Sequence, residues 1–245
     1  MISLTESDLR ARYGRGPWRV AKWLADPFAL VGVYALLMTF VIDRGGRAPG
    51  LSLACAVIPF QLVMASVVNS MSVVYLRAPI ILNMSFRRIL LPVSATLTET
   101  LAFAASLVLV PLMMVVHGVP PTASLGWFPL VVVTNVLFAL GCAYPASLFG
   151  LWAPEVRPLA VSFVRAMFFL SPALVPLAEI GGRANELVRL NPLTGLFEAY
   201  RATLLFGEPP APWQLLYPLA VAIALLVVSL PVYIREQRHF AKVVW

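Results

Sequence analysis

Charged side chains are scarce in this sequence of 245 residues. Asp, Glu, Lys and Arg make up 12% of the chain, whereas soluble domains contain about a quarter. Hydrophobic residues make up 60%, and they occur in runs as long as the about 20 residues that a helix needs to cross a bilayer. The composition therefore excludes an ordinary soluble domain and predicts an all-α integral membrane protein.

Lysine is almost missing. The two lysines, Lys22 and Lys242, each follow an alanine, so the Gly-Lys pair of a phosphate-binding loop is absent from the sequence. The patterns HExxH, CxxC and GxSxG do not occur either. His117 and His239 fall at a span end and in the tail, where solvated roles are expected. The sequence predicts no catalytic residue, no metal site and no cofactor in this chain.

Cysteine is equally rare. Cys55 and Cys142 lie far apart in apolar runs, which indicates neither a disulfide framework nor a metal motif but two small buried hydrophobes. The net charge of +7 would suit nucleic acid, but the basic residues concentrate in loops and tails without an aromatic-interleaved basic face. We expect no nucleic-acid partner. The first apolar run begins only near Leu24 and lacks a small-residue cleavage site, so we expect no cleavable signal peptide.

Six apolar runs predict six transmembrane helices. Their expected ranges are 23–42, 51–76, 92–117, 127–152, 159–177 and 213–234. Asp26 precedes Pro27 and is interpreted as a cap at the start of the first span, with a functional acid in the membrane as the alternative. Prolines inside the spans predict kinks in a packed bundle.

The distribution of Lys and Arg predicts the orientation. Twelve lie in the two tails and in the loops near residues 76 and 154, against five in the other loops. Basic residues are retained on the cytoplasmic side. Both termini and the loop at 77–91 are therefore expected to be cytoplasmic.

Four segments outside the spans have distinct patterns within a single transmembrane domain, 1–245. Residues 1–22 predict an amphipathic interface helix, and 235–245 a cytoplasmic tail. Residues 77–91 predict a short cytoplasmic helix that starts at Pro79 and is too apolar to be simply solvated, so we expect it to dock on another protein; an ordinary connection is the alternative. Residues 178–212 predict half-helices that re-enter the outer membrane edge.

Two charges lie inside spans. Glu99 and Arg165 are each expected about 10 Å from the cytoplasmic end, so they are predicted either to form a salt bridge that fixes helix packing or to leave Arg165 for an anionic group of a transported molecule. Nearby, Phe163, Phe168 and Phe169 are either a surface on which sugar rings stack or plain packing.

Several short segments carry a resemblance. They are DLRARY (8–13), SFRRILLP (85–92), FFLSP (168–172), NPL (191–193) and EAYR (198–201). With them the chain resembles the permease subunits of ABC-2-type exporters of polysaccharide, which export O-antigen, teichoic acid and related lipid-linked glycans. In SFRRILLP, Arg87 stands where the family has proline.

The resemblance implies a homodimeric channel in the bacterial cytoplasmic (inner) membrane, surrounded by membrane lipid. Each half would bind a separate ATPase subunit that holds ATP and Mg²⁺, and the substrate would be a glycan linked to polyprenyl diphosphate. The residues expected to contact the ATPase are Arg77, Pro79, Ile80, Ile81, Phe86, Arg87 and Arg88. Those expected along the translocation path are Glu99, Phe163, Arg165, Phe168 and Phe169, and those at an outer gate are Asn191, Pro192, Glu198, Tyr200 and Arg201.

Two rival functions remain open. An ABC-2 permease for drugs or lipids would share the architecture. A secondary transporter would need coupling-ion acids near the midplane, and Glu99 is the only deep acid in the predicted spans.

Overall fold

The computed structural model describes residues 48–78, 87–238 and 240, together with Ala29 and Gly32. Every regular element in these ranges is helical. The helices are α1 (Pro49–Leu76), α2 (Leu91–Ser106), α3 (Leu109–Val116), α4 (Phe128–Trp152), α5 (Arg157–Phe169), α6 (Gly182–Arg189), α7 (Pro192–Arg201) and α8 (Pro212–Glu236). The predicted interface helix (1–22) and nearly all of the first span (23–42) lie outside the described residues.

Four helical stretches are long and apolar enough to cross a membrane. They are Pro49–Leu76, Arg88–Val116, Ala123–Trp152 and Pro212–Glu236, and they correspond to the second, third, fourth and sixth predicted spans. A multi-pass, all-helical membrane protein is thereby confirmed for the part of the chain that the structure describes.

The fifth predicted span, 159–177, is wrong at its C-terminal end. Helix α5 has only 13 residues and ends at Phe169, so it is about 20 Å long, shorter than the about 30 Å of a bilayer core. The hydroxyl of Ser171 donates to the carbonyl of Phe168 at 2.6 Å in the turn that follows. Pro172 therefore lies beyond the helix end and does not kink a continuous span.

Pro111 divides the third span into two helices. The ring of a proline clashes with the carbonyl four positions earlier, which here belongs to Leu107, between the end of α2 and the start of α3. That carbonyl accepts instead from the amide of Val110 at 3.1 Å. Other prolines are accommodated inside their helices: Pro59 in α1, Pro145 in α4, and Pro218 and Pro231 in α8.

Helix α1 lies at the centre of the bundle. In its most apolar 18-residue window 78% is buried, against 17% in that of α8, as expected for a helix that is apolar on every side. Glycines let α4 approach both helices closely. A Cβ added at Gly150 would lie 2.0 Å from the carbonyl oxygen of Met71 in α1, and one at Gly141 would lie 2.7 Å from the Cα of Ala222 in α8.

The loops that are predicted to be cytoplasmic meet at one end of this bundle. The guanidinium of Arg157, just after α4, lies 4.4 Å from the centre of the Tyr75 ring at the end of α1. The side chain of Arg88 reaches the carbonyl of Gln237, just after α8. The grouping agrees with the side that the charge count assigns to these three loops.

Candidate functional site

The segment at 77–91, which is predicted to dock on a partner protein and is called the coupling segment below, is described only at its ends. Pro79, Ile80, Ile81 and Phe86 lie outside the described residues, as does most of the predicted short helix. Arg77 is half-buried directly after α1, and burial lowers the pKa of its guanidinium. Arg87 is exposed and Arg88 is half-buried.

The exit of this segment is held by two other helices. Residues Arg88–Leu90 form a 3-10 turn that leads into α2. The hydroxyl of Tyr144, from α4, donates to the carbonyl of Ile89 at 3.0 Å, and that of Tyr233, from α8, donates to the carbonyl of Arg88 at 3.4 Å. In return, Nη1 of Arg88 donates to the carbonyl of Gln237 at 2.7 Å.

A separate hydrophobic cluster surrounds these contacts. It joins the ends of α1, α2, α4 and α8 with the start of the C-terminal tail. Its buried members are Val73, Val74, Leu91, Ala95, Tyr144, Leu148, Leu151, Tyr233 and Phe240. Residue 240 belongs to the predicted cytoplasmic tail, so the first part of that tail is anchored on the helices.

The predicted outer gate contains Arg201, whose side chain donates hydrogen bonds through all three of its nitrogen atoms. Its side chain is fully buried. Nε donates to the hydroxyl of Ser52 at 3.0 Å, Nη2 to the carbonyl of Ala173 at 2.8 Å, and Nη1 to the carbonyl of Pro172 and to Oε1 of Glu198 at 2.7 Å. Arg201 thus joins α7 to the start of α1 and to the turn after α5. We call these five residues the Arg201 network.

The other predicted gate residues also make inward contacts. The amide of Leu177 donates to Oε1 of Glu198 at 3.1 Å. Asn191 caps α7 with its side-chain oxygen, its Nδ2 donates to the carbonyl of Met167 at 2.9 Å, and Pro192 is the first residue of the helix. Tyr200 lies 3.4 Å from the amide nitrogen of Asn135.

The burial of these side chains argues against an open, solvated mouth at this position of the single chain. Tyr200 is 1% exposed and Glu198 is 8% exposed. Their contacts fix the half-helix α7 against the bundle, because a buried charge is tolerated only when it is paired and hydrogen-bonded.

The two intramembrane charges have different surroundings. Glu99 is buried in α2 and accepts from the side-chain amide of Asn69 in α1 at 2.6 Å. Arg165 is exposed on α5. Among the described side chains, these two are not joined by an ion pair, so the predicted salt bridge is not formed.

The aromatic residues of α5 also divide. Phe168 is buried, with its ring centre 4.8 Å from that of Phe60 and 6.0 Å from that of Phe197. Phe163 and Phe169 are exposed on the surface of the single chain. Phe168 therefore serves packing, and a face on which sugars could stack would contain only the other two.

Sequence reasoning missed the partners of these residues. Tyr144 and Tyr233 stand inside apolar runs, where an occasional tyrosine gives no signal beyond burial. Asn69, in the middle of the second span, was the better signal, since a polar amide inside a membrane helix needs a partner. Ser52 lies 149 residues from Arg201, and no local pattern links them.

No protein-family model matches the chain. It is, however, similar along almost its whole length to three permeases with the same name, O-antigen export system permease protein RfbA. The one from Myxococcus xanthus is 25% identical over 99% of this chain and 94% of its own length. Two from Klebsiella pneumoniae are 23% and 22% identical over the same shares. The resemblance to ABC-2-type permeases of polysaccharide export is confirmed.

Proposed function

We propose that this chain is the transmembrane subunit of an ATP-driven exporter that moves polyprenyl-diphosphate-linked polysaccharide across the bacterial cytoplasmic membrane. The observation that carries the proposal is the full-length similarity to three O-antigen export permeases. The four helical stretches of spanning length support it, because a permease must be a multi-pass membrane protein.

A separate ATPase subunit would supply the energy. The sequence has no phosphate-binding loop, and a P-loop ATPase needs one to hold the nucleotide phosphates. The ATPase, with its ATP and Mg²⁺, would bind the segment at 77–91, which the charge count assigns to the cytoplasm. The exposed guanidinium of Arg87 is available to such a partner.

A second copy of the chain would complete the channel. Helix α5 exposes Leu159 (70%), Phe163 (63%) and Phe169 (61%), so one face of a helix too short to span is left uncovered by the described residues. Arg165 lies on the same helix and is exposed. In a dimer that placed this helix along the path, Arg165 would meet the diphosphate of the substrate, and the two phenylalanines would meet its sugars.

Reconstitution tests the proposal. The chain would be co-expressed with an ABC ATPase from the same organism, purified as a complex and reconstituted in liposomes that contain a polyprenyl-diphosphate-linked glycan. We expect ATP-dependent transfer of the glycan across the bilayer, and no transfer when the ATPase carries a substitution of its Walker lysine. Loss of glycan transfer in the exposed-residue variant Arg165→Gln, with Arg183→Gln unaffected, would support the proposed path.

Two results would contradict the proposal. The chain could purify without any ATPase, or the complex could move a fluorescent phospholipid or a drug and leave the glycan in place. The second result would indicate the lipid or drug permease that the sequence also allows.

A further inference from the structure

The aromatic row formed by Tyr144, Tyr233 and Phe240 is the feature from which we infer a further role. We infer that this row, which we call the aromatic clasp, positions the exit of the coupling segment, so that movement of the segment is transmitted to α4 and α8 as well as to α2. The inference rests on the proposed function, because the segment at 77–91 is a coupling element only if an ATPase binds it.

Without the clasp, the turn between the coupling segment and α2 would be held by few hydrogen bonds. The 3-10 turn Arg88–Leu90 contains only three residues. Its own backbone bonds run from the amide of Leu90 to the carbonyl of Arg87 and from the amide of Leu91 to the carbonyl of Arg88. Such turns are short and have poorer hydrogen-bond geometry than an α-helix. A push on the preceding residues would bend this turn before it moved α2.

The clasp adds two bonds to this turn from outside. The hydroxyls of Tyr144 and Tyr233 donate to two successive carbonyls, those of Ile89 and Arg88. Without the tyrosine hydroxyls, these two carbonyls at the start of a helix would be held only by the following helical turn. The turn is therefore fastened to α4 and to α8 at adjacent atoms.

The rings themselves form one continuous contact. The ring centres of Tyr144 and Tyr233 are 5.3 Å apart at 82°, and those of Tyr233 and Phe240 are 5.2 Å apart at 84°. Edge-to-face packing at this distance is the favoured geometry for aromatic pairs. Tyr233 and Phe240 are fully buried, so a residue beyond the end of α8 completes the row.

Two kinds of observation thus agree. The hydrogen bonds connect the turn to the row, and the separate hydrophobic cluster connects the row to the ends of α1, α2, α4 and α8. Close-packed side chains transmit displacement because they leave no free volume to absorb it. The consequence is that the C-terminal end of the chain belongs to the coupling apparatus.

The first test measures positioning and needs no partner. The double variant Tyr144→Phe/Tyr233→Phe removes both hydroxyls and keeps both rings. Amide hydrogen exchange at Leu90 and Leu91 would be compared with the wild type in nanodiscs, and we expect exchange about tenfold faster or more, as the loss of one to two net hydrogen bonds implies. The matched control is Tyr217→Phe, which removes a hydroxyl that donates to the carbonyl of Leu190 at 2.6 Å near the other end of α8.

The second test measures transmission in the complex with the ATPase. We expect the double variant to bind the ATPase as the wild type does and to hydrolyse ATP, but to export several-fold less glycan per ATP. The control variant should keep the wild-type ratio. A purely structural defect would instead lower the yield of complex and leave the ratio unchanged. If the double variant does not fold, Tyr144→Phe alone carries both measurements.

The outcomes separate the two claims. Unchanged exchange at Leu90 and Leu91 overturns the inference, whatever the transport result. Faster exchange with a wild-type ratio of export to hydrolysis also overturns it, because the turn would then have no part in transmission. A wild-type complex that exports no glycan overturns the proposed function and, with it, the coupling role of the clasp, while the exchange data still report whether the turn is held.

Discussion

Arg201 shows how a buried cation is accommodated inside this bundle. Desolvating a guanidinium costs several kcal/mol unless every donor finds a partner. In the Arg201 network, Nε, Nη1 and Nη2 all donate to oxygens, and one of these belongs to the carboxylate of Glu198. The planar fork of arginine suits this arrangement, whereas the single ammonium of lysine cannot reach partners on three sides.

We therefore predict that Arg201→Lys destabilises the protein by about 3 kcal/mol, the scale of a broken buried pair. The ammonium would retain the charge but leave the carbonyls of Pro172 and Ala173, or the oxygens of Ser52, without a donor. Thermal unfolding of the purified chain in detergent, followed by loss of the monodisperse fraction, measures the change. Arg183→Lys, at an exposed position of α6, is the matched control and should change the midpoint little. Equal midpoints for the two variants would show that the network contributes no stability.

The sequence identified part of this site. Glu198 and Arg201 were both assigned to the predicted outer gate, and in the structure they form an ion pair at 2.7 Å. Their burial could not be predicted, because it depends on Ser52 and on the turn at Pro172, which are remote in the chain. Glu99 and Arg165 were predicted to lie near each other because they have the same expected depth in the membrane. Depth does not determine which way a side chain faces, and these two side chains, both among the described residues, are not paired with each other.

At the scale of whole helices, α1 and α4 cross in close backbone contact. The position of a Cβ at Gly150, only 2.0 Å from the carbonyl oxygen of Met71, leaves no room for any side chain. The partner is backbone, so it cannot move aside by a rotamer change. Small residues at membrane helix crossings serve this purpose, since close approach increases packing contacts.

We predict that Gly150→Ala separates the two helices and destabilises the chain by about 1–3 kcal/mol or more, the usual cost of overpacking. The control is Gly126→Ala, because a Cβ at Gly126 meets nothing within 4 Å. Comparison of the apparent melting temperatures of the two variants measures the effect. If Gly150→Ala melts at the wild-type temperature, the helices do not touch at this point in the membrane.

The spans were predictable as elements because each is a run of apolar residues of the length that a bilayer requires. The positions at which helices end inside these apolar runs were not predictable. The residues after Phe169 are as apolar as those before it. Pro172 disfavours helical geometry at Ser171, and Arg201, from a distant helix, donates to the carbonyls of Pro172 and Ala173. The break at Leu107 could not be predicted either. A proline in an apolar run indicates a kink, but it does not show whether the helix continues beyond it.

For the whole molecule, the contacts group the loops into two sets but leave their absolute orientation to the charge distribution. The loops after α1, α4 and α8 lie together. At the other end, the hydroxyl of Ser124 donates to the carbonyl of Thr203 at 2.9 Å. Twelve basic residues on the first side against five on the second predict that the first side faces the cytoplasm.

Cysteine labelling tests this orientation. In a background in which Cys55 and Cys142 are replaced by alanine, we expect Pro121→Cys to react with a membrane-impermeant maleimide in spheroplasts. Glu155→Cys should react only after the membrane is opened. Both positions are exposed, so access depends on the side of the membrane. Labelling in the reverse order would mean that the chain is inserted the other way.

The Arg201 network also dictates an order of biogenesis. Ser52 leaves the ribosome 149 residues before Arg201, which at the usual rates of synthesis is about 7–30 s. During that interval the early helices are inserted while the donor for the carbonyls of Pro172 and Ala173 does not yet exist. The segment around α7 therefore acquires its full set of contacts only after residue 201 has been made. A nascent chain that stops earlier lacks the donor that joins α7 to the start of α1 and to the turn after α5.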